Sequence, residues 1–379
     1  MLKNRVLFFF PENPFSNRAG NTTRAKKNIS ILKKLGCVID LVGCKEVYKY
    51  MDDSLDFDKN LVDNLTLIQR KPNSSLTSVA YWKYKWLKIT GKKNKYNSLL
   101  SLYAKKDFER ILQKKEYDYI IINYEIWSDL INSKFIKNAV KIVDTHDWMT
   151  LNEFYRNPDV NIGDKFNEEI ENLKRFDKII TISQDETFVF QSFLGDKVIN
   201  IPPSLPNNHQ NERQKKWDLI FVGSENIFNI QSMEYFFEKI YPLLSKNISI
   251  LVIGRIVNYV PNLENVEKIL FVEDLSSYYH QSKIAICPML QGTGIKIKVV
   301  EALSFGIPVV GTIRSVDGFS SKTNNGCLVS NNPEGFKNHI LDLLEDKNYY
   351  KTIQMQGTQY FDANFSDEKS IDLWKSVIS

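Results

Sequence analysis

The sequence predicts an α/β protein built from two doubly wound, Rossmann-like domains, and three observations lead to this fold class. The chain has 379 residues, which suits two domains of about 150 to 200 residues each. Short β-rich runs alternate with helical stretches along most of the chain, a pattern typical of parallel sheets covered by helices on both faces. The alternation breaks near residue 202, where a proline-rich and then polar stretch, PPSLPNNHQNERQKK, is typical of a linker.

The N-terminal half opens with a continuous apolar run, Val6 to Phe10, as expected of a strand buried on both faces. After a loop, the sequence predicts a helix with Thr22 or Thr23 as its N-cap and Gly36 just past its end. CVIDLVG then predicts a second strand. The same order of elements recurs, with strands predicted in YDYIIINYE, VKIVDTHD, DKIITISQDE and DKVINIPP.

After the linker the alternation restarts with DLIFVGS, a helix through SMEYFFEKIYPLL, and strands in ISILVIGR, KILFVED, KIAICPM and IPVVGT. The last stretch predicts a helix with Ser366 as its N-cap. We therefore assign residues 1–203 to an N-terminal domain, 204–216 to a linker, 217–360 to a C-terminal domain, and 361–379 to a C-terminal helix that returns toward the N-terminal domain.

Composition argues against several classes of protein. No segment reaches the ~20 apolar residues of a membrane span, and the start has no small-residue cleavage site, so we expect a cytoplasmic protein. The four cysteines form no CxxC pair, and the four histidines have no ligand spacing. Neither a disulfide framework nor a metal site is therefore expected.

The stretch GTGIKIKVVEALSFGIPVV, residues 292–310, carries the strongest signal for a binding site. It follows the predicted strand KIAICPM, and ligands of open parallel sheets bind where strand ends lead into helix N-termini. Gly292 and Gly294 permit a positive φ and the close approach of a ligand. A helix from about Ile295 would offer unpaired N–H groups to an anion.

Lys296 and Lys298 would lie in the first turn of that helix, where each cation opposes the helix dipole by roughly 0.3 to 1 kcal/mol. A bound diphosphate would offset this cost. Glu301 lies three residues after Lys298, where a carboxylate can accept hydrogen bonds from the vicinal hydroxyls of a ribose. The alternative is an ordinary helix entry, with Lys298 and Glu301 as a solvated i,i+3 pair.

Taken together, these residues resemble a known signature. The positions concerned are Pro288, Gly292-x-Gly294-x-Lys296-x-Lys298, Glu301-Ala302, Gly306-x-Pro308-Val309-Val310 and Thr312. Together they are similar to the sugar-nucleotide signature of retaining glycosyltransferases of family 4, which have the two-domain GT-B fold. DLIFVGSENIFNIQSMEYFFEKIYPLL resembles the "FVGS…N…WF…PLL" opening of the donor domain in one branch of that family. LFVEDLSSYYHQSKIAICPM resembles the stretch that usually precedes the signature. The resemblance is strong over about residues 217–320.

The resemblance implies two Rossmann-like domains that face each other across a cleft, with the nucleotide sugar on the C-terminal domain and the acceptor on the N-terminal one. It implies a retaining, metal-independent, hexosyltransferase-type enzyme without a cofactor. Such an enzyme would move a sugar from a UDP- or GDP-type nucleotide diphosphate sugar to a glycan or lipid-linked acceptor. Its expected role is cell-surface polysaccharide or glycoconjugate biosynthesis.

The same resemblance implies a set of site residues. His146, in DTHDWM, matches a histidine that touches the donor sugar, and His146 and Lys296 are the candidate catalytic residues. For His146 the alternative is a packed histidine, and for Gly20, in a glycine loop that faces the diphosphate, a plain helix-entry turn. The implied nucleotide-sugar-binding residues are Gly20, Ser224, Arg255, Gly292, Thr293, Gly294, Ile295, Lys296, Lys298 and Glu301.

Two departures from the family pattern matter. Many members carry a Glu-x7-Glu motif whose second glutamate corresponds to Glu301, but the first falls on Thr293, so the backbone of the glycine loop must take its part. The basic pair that often follows the first donor-domain strand is missing between Ser224 and Asn229. The missing glutamate leaves open a non-catalytic glycan-binding or partner subunit. A sugar-nucleotide epimerase or a phosphorylase is a further alternative.

Residues 81–115 combine eleven basic and two acidic residues with Tyr81, Trp82, Tyr84 and Trp86. Aromatic side chains favour the boundary between water and lipid headgroups, and each Lys or Arg near an anionic leaflet contributes about 1 kcal/mol. We therefore expect peripheral docking on the inner face of the cell membrane. The alternative is that the aromatic residues pack in the domain beside a solvated basic face. Nucleic acid is not an expected partner, since no recognition motif accompanies the segment.

Overall fold

A computed structural model of the chain describes residues 3–16, 20–51, 57–72, 77–90, 102–210, 214–292 and 294–379. Two compact units are present. Unit 1 comprises Met1–Ile182, Glu186–Ile201 and Ile371–Ser379, and unit 2 comprises Ser183–Asp185 and Pro202–Ser370. Thr293 lies outside the described residues, as do residues 91–101 of the basic aromatic segment. Among the helices that the structure describes, none has the length and apolar character of a membrane span.

Unit 1 is built on a sheet of seven parallel strands, in the spatial order β3-β2-β1-β4-β5-β6-β7. These strands are β1 (Arg5–Phe9), β2 (Val38–Cys44), β3 (Asn64–Ile68), β4 (Tyr119–Asn123), β5 (Val140–Asp144), β6 (Lys178–Thr181) and β7 (Val198–Asn200). The helices are α1 (Gly20–Lys34), α2 (Lys45–Met51), α3 (Val79–Thr90), α4 (Leu102–Lys114), α5 (Met149–Arg156), α6 (Ile162–Leu173) and α7 (Gln184–Leu194). The strand order reverses between β1 and β4, where sheets of this class bind ligands at the carboxyl ends of their strands.

The apolar run of β1 is buried on both faces, as the sequence predicts. Leu7 and Phe9 belong to one hydrophobic core, and Val6, Phe8 and Phe10 belong to another. Successive side chains of a strand point to opposite faces, so the sheet lies between these two cores.

Helix α1 begins at Gly20, so the prediction that Thr22 or Thr23 caps it is wrong. Both threonines lie inside the helix. The prediction for its other end is confirmed, because Gly36 has φ 86° and its N–H donates to the carbonyl of Lys33. Glycine adopts this left-handed conformation without a steric penalty, which ends the helix.

Unit 2 is built on a second parallel sheet, with six strands in the order β10-β9-β8-β11-β12-β13. They are β8 (Trp217–Val222), β9 (Ile250–Ile253), β10 (Val266–Ile269), β11 (Ser282–Cys287), β12 (Val309–Gly311) and β13 (Cys327–Val329). The helices that follow α7 in the chain are α8 (Ile227–Tyr235), α9 (Ser276–His280), α10 (Ile297–Ser304), α11 (Pro333–Glu345), α12 (Lys347–Asn364) and α13 (Asp367–Val377). The predicted fold class of two doubly wound α/β domains is confirmed.

Ser366 caps α13, as predicted, because its hydroxyl accepts a hydrogen bond from the N–H of Lys369 at 3.2 Å. The end of this helix belongs to unit 1. Trp374 and Val377 are fully buried there in the same core as Val6 and Phe8. The indole N–H of Trp374 donates to Asn28 at 3.2 Å. The core of unit 1 that contains Val6 and Phe8 thus also includes Trp374 and Val377, from the last residues of the sequence.

Candidate functional site

The candidate site of unit 2 lies at the carboxyl ends of its central strands. The strand order reverses between β8 and β11, which is where an open parallel sheet leaves a crevice for a ligand. Three segments follow strand ends here: 223–226 after β8, 254–259 after β9, and 288–296 after β11. They contain all the nucleotide-sugar-binding residues predicted for this unit except Lys298 and Glu301, which lie on the next helix, α10.

The glycine loop after β11 has the backbone conformation that the sequence predicts. Gly292 has φ 112° and Gly294 has φ 65°, both in the region that other residues rarely adopt. A Cβ atom on Gly292 would meet only ordinary contacts, the nearest being the Met289 methyl at 3.7 Å. The glycine is therefore required by the backbone angle rather than by space.

Lys296 holds this loop in place from inside. It is the N-cap of α10 rather than a residue of its first turn, so the predicted helix start near Ile295 is two residues early. Its ammonium group donates to the carbonyl oxygens of Gly294 at 2.8 Å and of Gly292 at 3.2 Å, and lies 3.7 Å from Asp317. The side chain is buried, and burial lowers the pKa of its ammonium group. Its roles in catalysis and diphosphate binding stay predictions.

Lys298 lies in the first turn of α10, as predicted, and its ammonium group has three neighbours. It donates to Asn229 Oδ1 at 2.5 Å, lies 4.2 Å from the centre of the Phe221 ring, and is 3.9 Å from the sulfur of Met289. Only one of these neighbours is strongly polar, and none is anionic. Burial lowers the pKa of Lys298 to about 8. A negatively charged ligand would supply the opposite charge that none of these three neighbours provides.

Asn229 connects Lys298 to the loop after β8, and the sequence analysis did not single it out. While its Oδ1 accepts from Lys298, its Nδ2 donates to the carbonyl of Ser224 at 2.8 Å. Its backbone N–H donates to the side chain of Asn226, the N-cap of α8, at 2.9 Å. The family pattern includes an asparagine in this stretch, which was the available signal. Asn229 thereby joins two predicted site residues that are far apart in the chain.

Glu301 accepts a hydrogen bond from Tyr279, a residue that the sequence analysis did not identify either. Tyr279 donates its hydroxyl to Glu301 Oε2 at 2.9 Å, and its buried ring stacks on Phe305 with ring centres 4.9 Å apart. Burial raises the pKa of Glu301, and the hydrogen bond from Tyr279 opposes that shift. Nothing in LSSYYHQ distinguishes Tyr279 from Tyr278, so only the structure identifies it.

Arg255 is exposed and begins the short helical segment after β9. The preceding glycine, Gly254, has φ 105°, and a Cβ atom there would lie 2.2 Å from the carbonyl oxygen of Gly223. This contact brings the loop of Arg255 against the loop of Ser224, and only a glycine permits it. The predicted role of Arg255 in nucleotide-sugar binding stays a prediction, and its loop lies against that of another predicted site residue, Ser224.

In unit 1, His146 follows β5 at the carboxyl edge of the sheet. It has φ 64°, unusual for a residue other than glycine, and its ring stacks on Tyr124 at 4.6 Å. Its Nε2 lies 2.7 Å from Asn123 Oδ1. Because Asn123 Nδ2 donates to the carbonyl of Phe9, its amide is fixed and Oδ1 must be the acceptor. His146 Nε2 therefore carries the hydrogen, and Nδ1, which has no hydrogen-bond partner among the described residues, carries the lone pair.

The ring of His146 is neutral near pH 7. Its pKa is lowered to about 4, chiefly because the ring is buried; Asp144 opposes this shift, and Arg24 contributes to it. Arg24 and Asn28 of α1 both donate to Asp144, at 2.9 and 2.7 Å. Asp144 is thus already satisfied by α1, and its distance of 3.7 Å to His146 Nε2 is that of a neighbour rather than a proton acceptor.

Gly20 begins α1 in unit 1 as well, and among the described residues outside its chain neighbours and its own helix backbone, nothing lies within 4 Å of a Cβ atom built on it. The next residue, Asn21, forms side-chain hydrogen bonds with Tyr124 and Glu12. The start of α1 is thereby linked to the tyrosine that stacks on His146. The structure thus groups Gly20 with His146 in unit 1 and the other described site residues in unit 2. In the ranges that the structure describes, no three His, Cys, Asp or Glu side chains form a group able to hold a metal ion.

Comparison with known proteins shows which family part of this chain resembles. Residues 216–346 match the family model described as "Glycosyl transferases group 1". Over 306 residues the chain is 23% identical to an uncharacterised 44.6 kDa protein in the cps region of Klebsiella pneumoniae, covering 71% of this chain and 76% of that protein. It is 26% identical over 229 residues to an uncharacterised glycosyltransferase of Haemophilus influenzae, covering 53% of this chain and 61% of that protein.

Solved structures of similar architecture cover almost the whole chain. Sucrose-phosphate synthase from Thermosynechococcus elongatus superposes with a TM-score of 0.71 at 15% identity, over 99% of this chain and 98% of that one. HepE of Anabaena, in complex with UDP and glucose, superposes with a TM-score of 0.66 at 12% identity, over 99% of both chains. Residues 216–346 therefore match the group 1 glycosyl transferases, and the chain has the GT-B fold, as the sequence resemblance implies.

Proposed function

We propose that this protein is a retaining glycosyltransferase that moves a sugar from a nucleotide diphosphate sugar to a glycan or lipid-linked acceptor. The observation that carries the proposal is the arrangement around α10. A glycine loop with two positive-φ residues, a partly desolvated Lys298 and a tyrosine-held Glu301 meet at the strand ends of a segment that matches a glycosyl transferase family. HepE, of similar fold, is known in complex with UDP-glucose.

Each part of this arrangement suits one part of a nucleotide diphosphate sugar. The glycine loop and the N-terminus of α10 offer backbone N–H groups to the diphosphate, and Lys298 offers a cation. Glu301, with Oε2 fixed by Tyr279, would accept hydrogen bonds from the ribose hydroxyls. Arg255, exposed on the neighbouring loop, would reach the outer phosphate oxygens.

The proposed reaction breaks the bond between the anomeric carbon and the diphosphate oxygen, and forms one from that carbon to an acceptor oxygen. Positive charge develops on the sugar and negative charge on the leaving diphosphate. Preorganised N–H groups and lysines stabilise the diphosphate without reorganising. Front-face attack would let the departing phosphate oxygen take the proton of the acceptor hydroxyl, which retains the anomeric configuration. The neutral ring of His146 would orient sugar hydroxyls through its Nδ1 lone pair.

The finer assignments belong to the same proposal. The donor is of the UDP or GDP type, the reaction needs no metal ion or cofactor, and the transferred group is a hexose. The relative in the cps region of Klebsiella pneumoniae supports a place in cell-surface polysaccharide biosynthesis. Such a reaction is cytoplasmic, and it is peripheral to the membrane if the acceptor is lipid-linked.

A thermal-shift panel of UDP, GDP, ADP and their sugars tests donor binding directly. A ligand present at 100 times its Kd adds about 2.7 kcal/mol to the free energy of unfolding. Glu301→Ala should weaken the best donor by about 1–3 kcal/mol, since charge-assisted hydrogen bonds are lost. The matched control is Glu345→Ala, which removes an exposed carboxylate at the end of α11. Equal donor affinity in both variants would remove Glu301 from the ribose site.

The alternative of a non-catalytic partner subunit arises from Thr293, which takes the position of the family's first glutamate. A catalytic protein should hydrolyse its donor slowly in the absence of acceptor, and chromatography of the sugar released would detect this. A protein that binds a donor tightly but releases no sugar, with or without candidate acceptors, would favour the partner subunit.

A further inference from the structure

Helix α3 exposes a row of large apolar side chains. The exposed fractions are 83% for Val79, 50% for Trp82, 62% for Trp86 and 82% for Ile89. The spacing of these four residues is three, four and three, which is the spacing of one helix face. A row of this kind in a water-exposed helix marks a surface that another phase or molecule covers.

The row is narrow and has cations on both sides. At about 100° per residue, the four apolar residues fall within about 80° of the helix circumference. Lys83 and Lys85, both exposed, lie about 40° beyond its opposite edges on the same projection. The ammonium group of Lys85 lies 5.4 Å from the centre of the Trp82 ring. We call Val79, Trp82, Trp86, Ile89 and the two lysines the α3 face.

We propose that the α3 face docks on an anionic lipid bilayer, with its apolar row below the headgroups and its two lysines among them. Tryptophan prefers this boundary because its ring is apolar while its N–H can still reach water. Lysines beside the row are placed to meet anionic headgroups, and the helix then lies in the plane of the interface.

The charge of the α3 face favours a membrane, rather than a second copy of the chain, as its binding partner. The α3 face carries two exposed lysines, and α3 contains no acidic residue, so two such faces brought together would repel each other. An anionic surface is the complementary partner. Docking requires neither donor nor acceptor, so the proposal stands apart from the transfer reaction, and it would place the protein where a lipid-linked acceptor is found.

Vesicle flotation tests the proposal with the full-length protein. We expect binding to vesicles of phosphatidylcholine mixed with phosphatidylglycerol, little binding to phosphatidylcholine alone, and loss of binding in high salt. Lys83→Glu with Lys85→Glu should weaken binding by about tenfold or more. The matched control is Lys34→Glu with Lys59→Glu, which reverses two exposed lysines of the same unit elsewhere in the sequence and should retain most of the binding.

Tryptophan quenching shows whether the apolar row enters the bilayer. Of the six tryptophans, Trp127, Trp217 and Trp374 are buried and Trp148 is half-buried, so lipids labelled with a quencher should report Trp82 and Trp86. Trp82→Ala with Trp86→Ala should abolish quenching and most binding. Phe188→Ala, which removes an exposed aromatic of α7, should do neither.

Three outcomes would overturn the proposal. They are equal, weak binding of the wild-type protein to both vesicle types, quenching that survives the double tryptophan change, and a concentration-dependent dimer that the same change dissolves. Donor-induced thermal stabilisation of each variant is measured alongside. A variant that retains donor binding but loses vesicle binding separates docking from the transferase site, and its unchanged melting temperature shows that it is folded.

Discussion

At the scale of single residues, the side chain of Lys298 places an ammonium ion between an amide oxygen, an aromatic face and a sulfur atom. The surroundings favour the neutral amine, so the pKa falls to about 8. An anionic ligand favours the charged form. Ligand binding and protonation of Lys298 are therefore coupled.

We predict that donor affinity falls as the pH rises through the pKa of Lys298. The cation that contacts the diphosphate is present below pH 8 and lost above it, so the Kd should rise by about tenfold or more between pH 7.5 and 9.5. Isothermal titration calorimetry with the nucleoside diphosphate that stabilises the protein most would measure this. Lys298→Met should bind weakly with a flatter profile, and Lys239→Met, at an exposed lysine of unit 2, should behave as wild type. An unchanged slope in Lys298→Met would assign the titration to another group.

Tyr279 offers a second test at this scale, because it acts on the donor only through Glu301. Tyr279→Phe keeps the stack on Phe305 but removes the hydroxyl that fixes Glu301 Oε2. The Kd for the donor should rise about fivefold or more, since a partly buried carboxylate loses a hydrogen bond. Tyr278→Phe is the matched control one residue earlier. If both variants bind the donor equally well, Tyr279 is a packing residue only.

At the scale of elements, the loop that precedes α10 depends on angles that side chains resist. Gly292→Ala forces an alanine to φ 112°, which should cost about 1–3 kcal/mol. Chemical denaturation would measure this loss, and donor binding should weaken with it because the loop moves. Gly163→Ala, in α6 and at a negative φ, is the control and should be close to neutral. Equal stability of the two variants would show that the loop relaxes without strain.

The elements themselves are largely predictable from the sequence. Strands buried on both faces, such as β1, produce continuous apolar runs, and glycines at helix ends, such as Gly36, mark where a helix must stop. Helix starts are less predictable, because several polar residues near one another can cap. The predicted starts of α1 and α10 are misplaced for this reason. Helix α1 begins before Thr22, and α10 begins after Lys296.

The site was predictable only in part. The residues of α10 stand together in one motif, so their chemistry is visible in the chain. The groups that position them come from elsewhere: Asn229 is 69 residues before Lys298, and Tyr279 is 22 residues before Glu301. Contacts of this kind depend on how strands and helices pack, which single-sequence patterns do not encode. The hydrogen bond from the Lys296 ammonium group to the carbonyl of Gly294 likewise depends on packing and is not visible in the sequence.

At the scale of the whole molecule, unit 1 is discontinuous in sequence. Its core requires residues 371–379, and Trp374 is fully buried within it. Trp374→Ala should lower the free energy of unfolding by about 3–5 kcal/mol, as expected for a large core side chain. Thermal unfolding of the full chain would detect this change.

We also predict that a fragment of residues 1–201 alone is poorly folded. A peptide of residues 371–379 added in trans should raise its melting temperature, whereas the same peptide with Trp374→Ala should not. Cooperative unfolding of the fragment without the peptide, at a temperature that the peptide does not change, would show that the C-terminal residues are dispensable for unit 1.

The closing of unit 1 by residues 371–379 has a consequence for synthesis. Residues 371–379 leave the ribosome only after all of unit 2 has been synthesised. Unit 1 is therefore the first unit whose synthesis begins and the last whose synthesis is complete. Until then the nascent chain exposes the apolar groove that Trp374 fills. A premature stop codon late in the message would thus damage the beginning of the protein rather than its end, and a chaperone has the whole of that interval in which to bind.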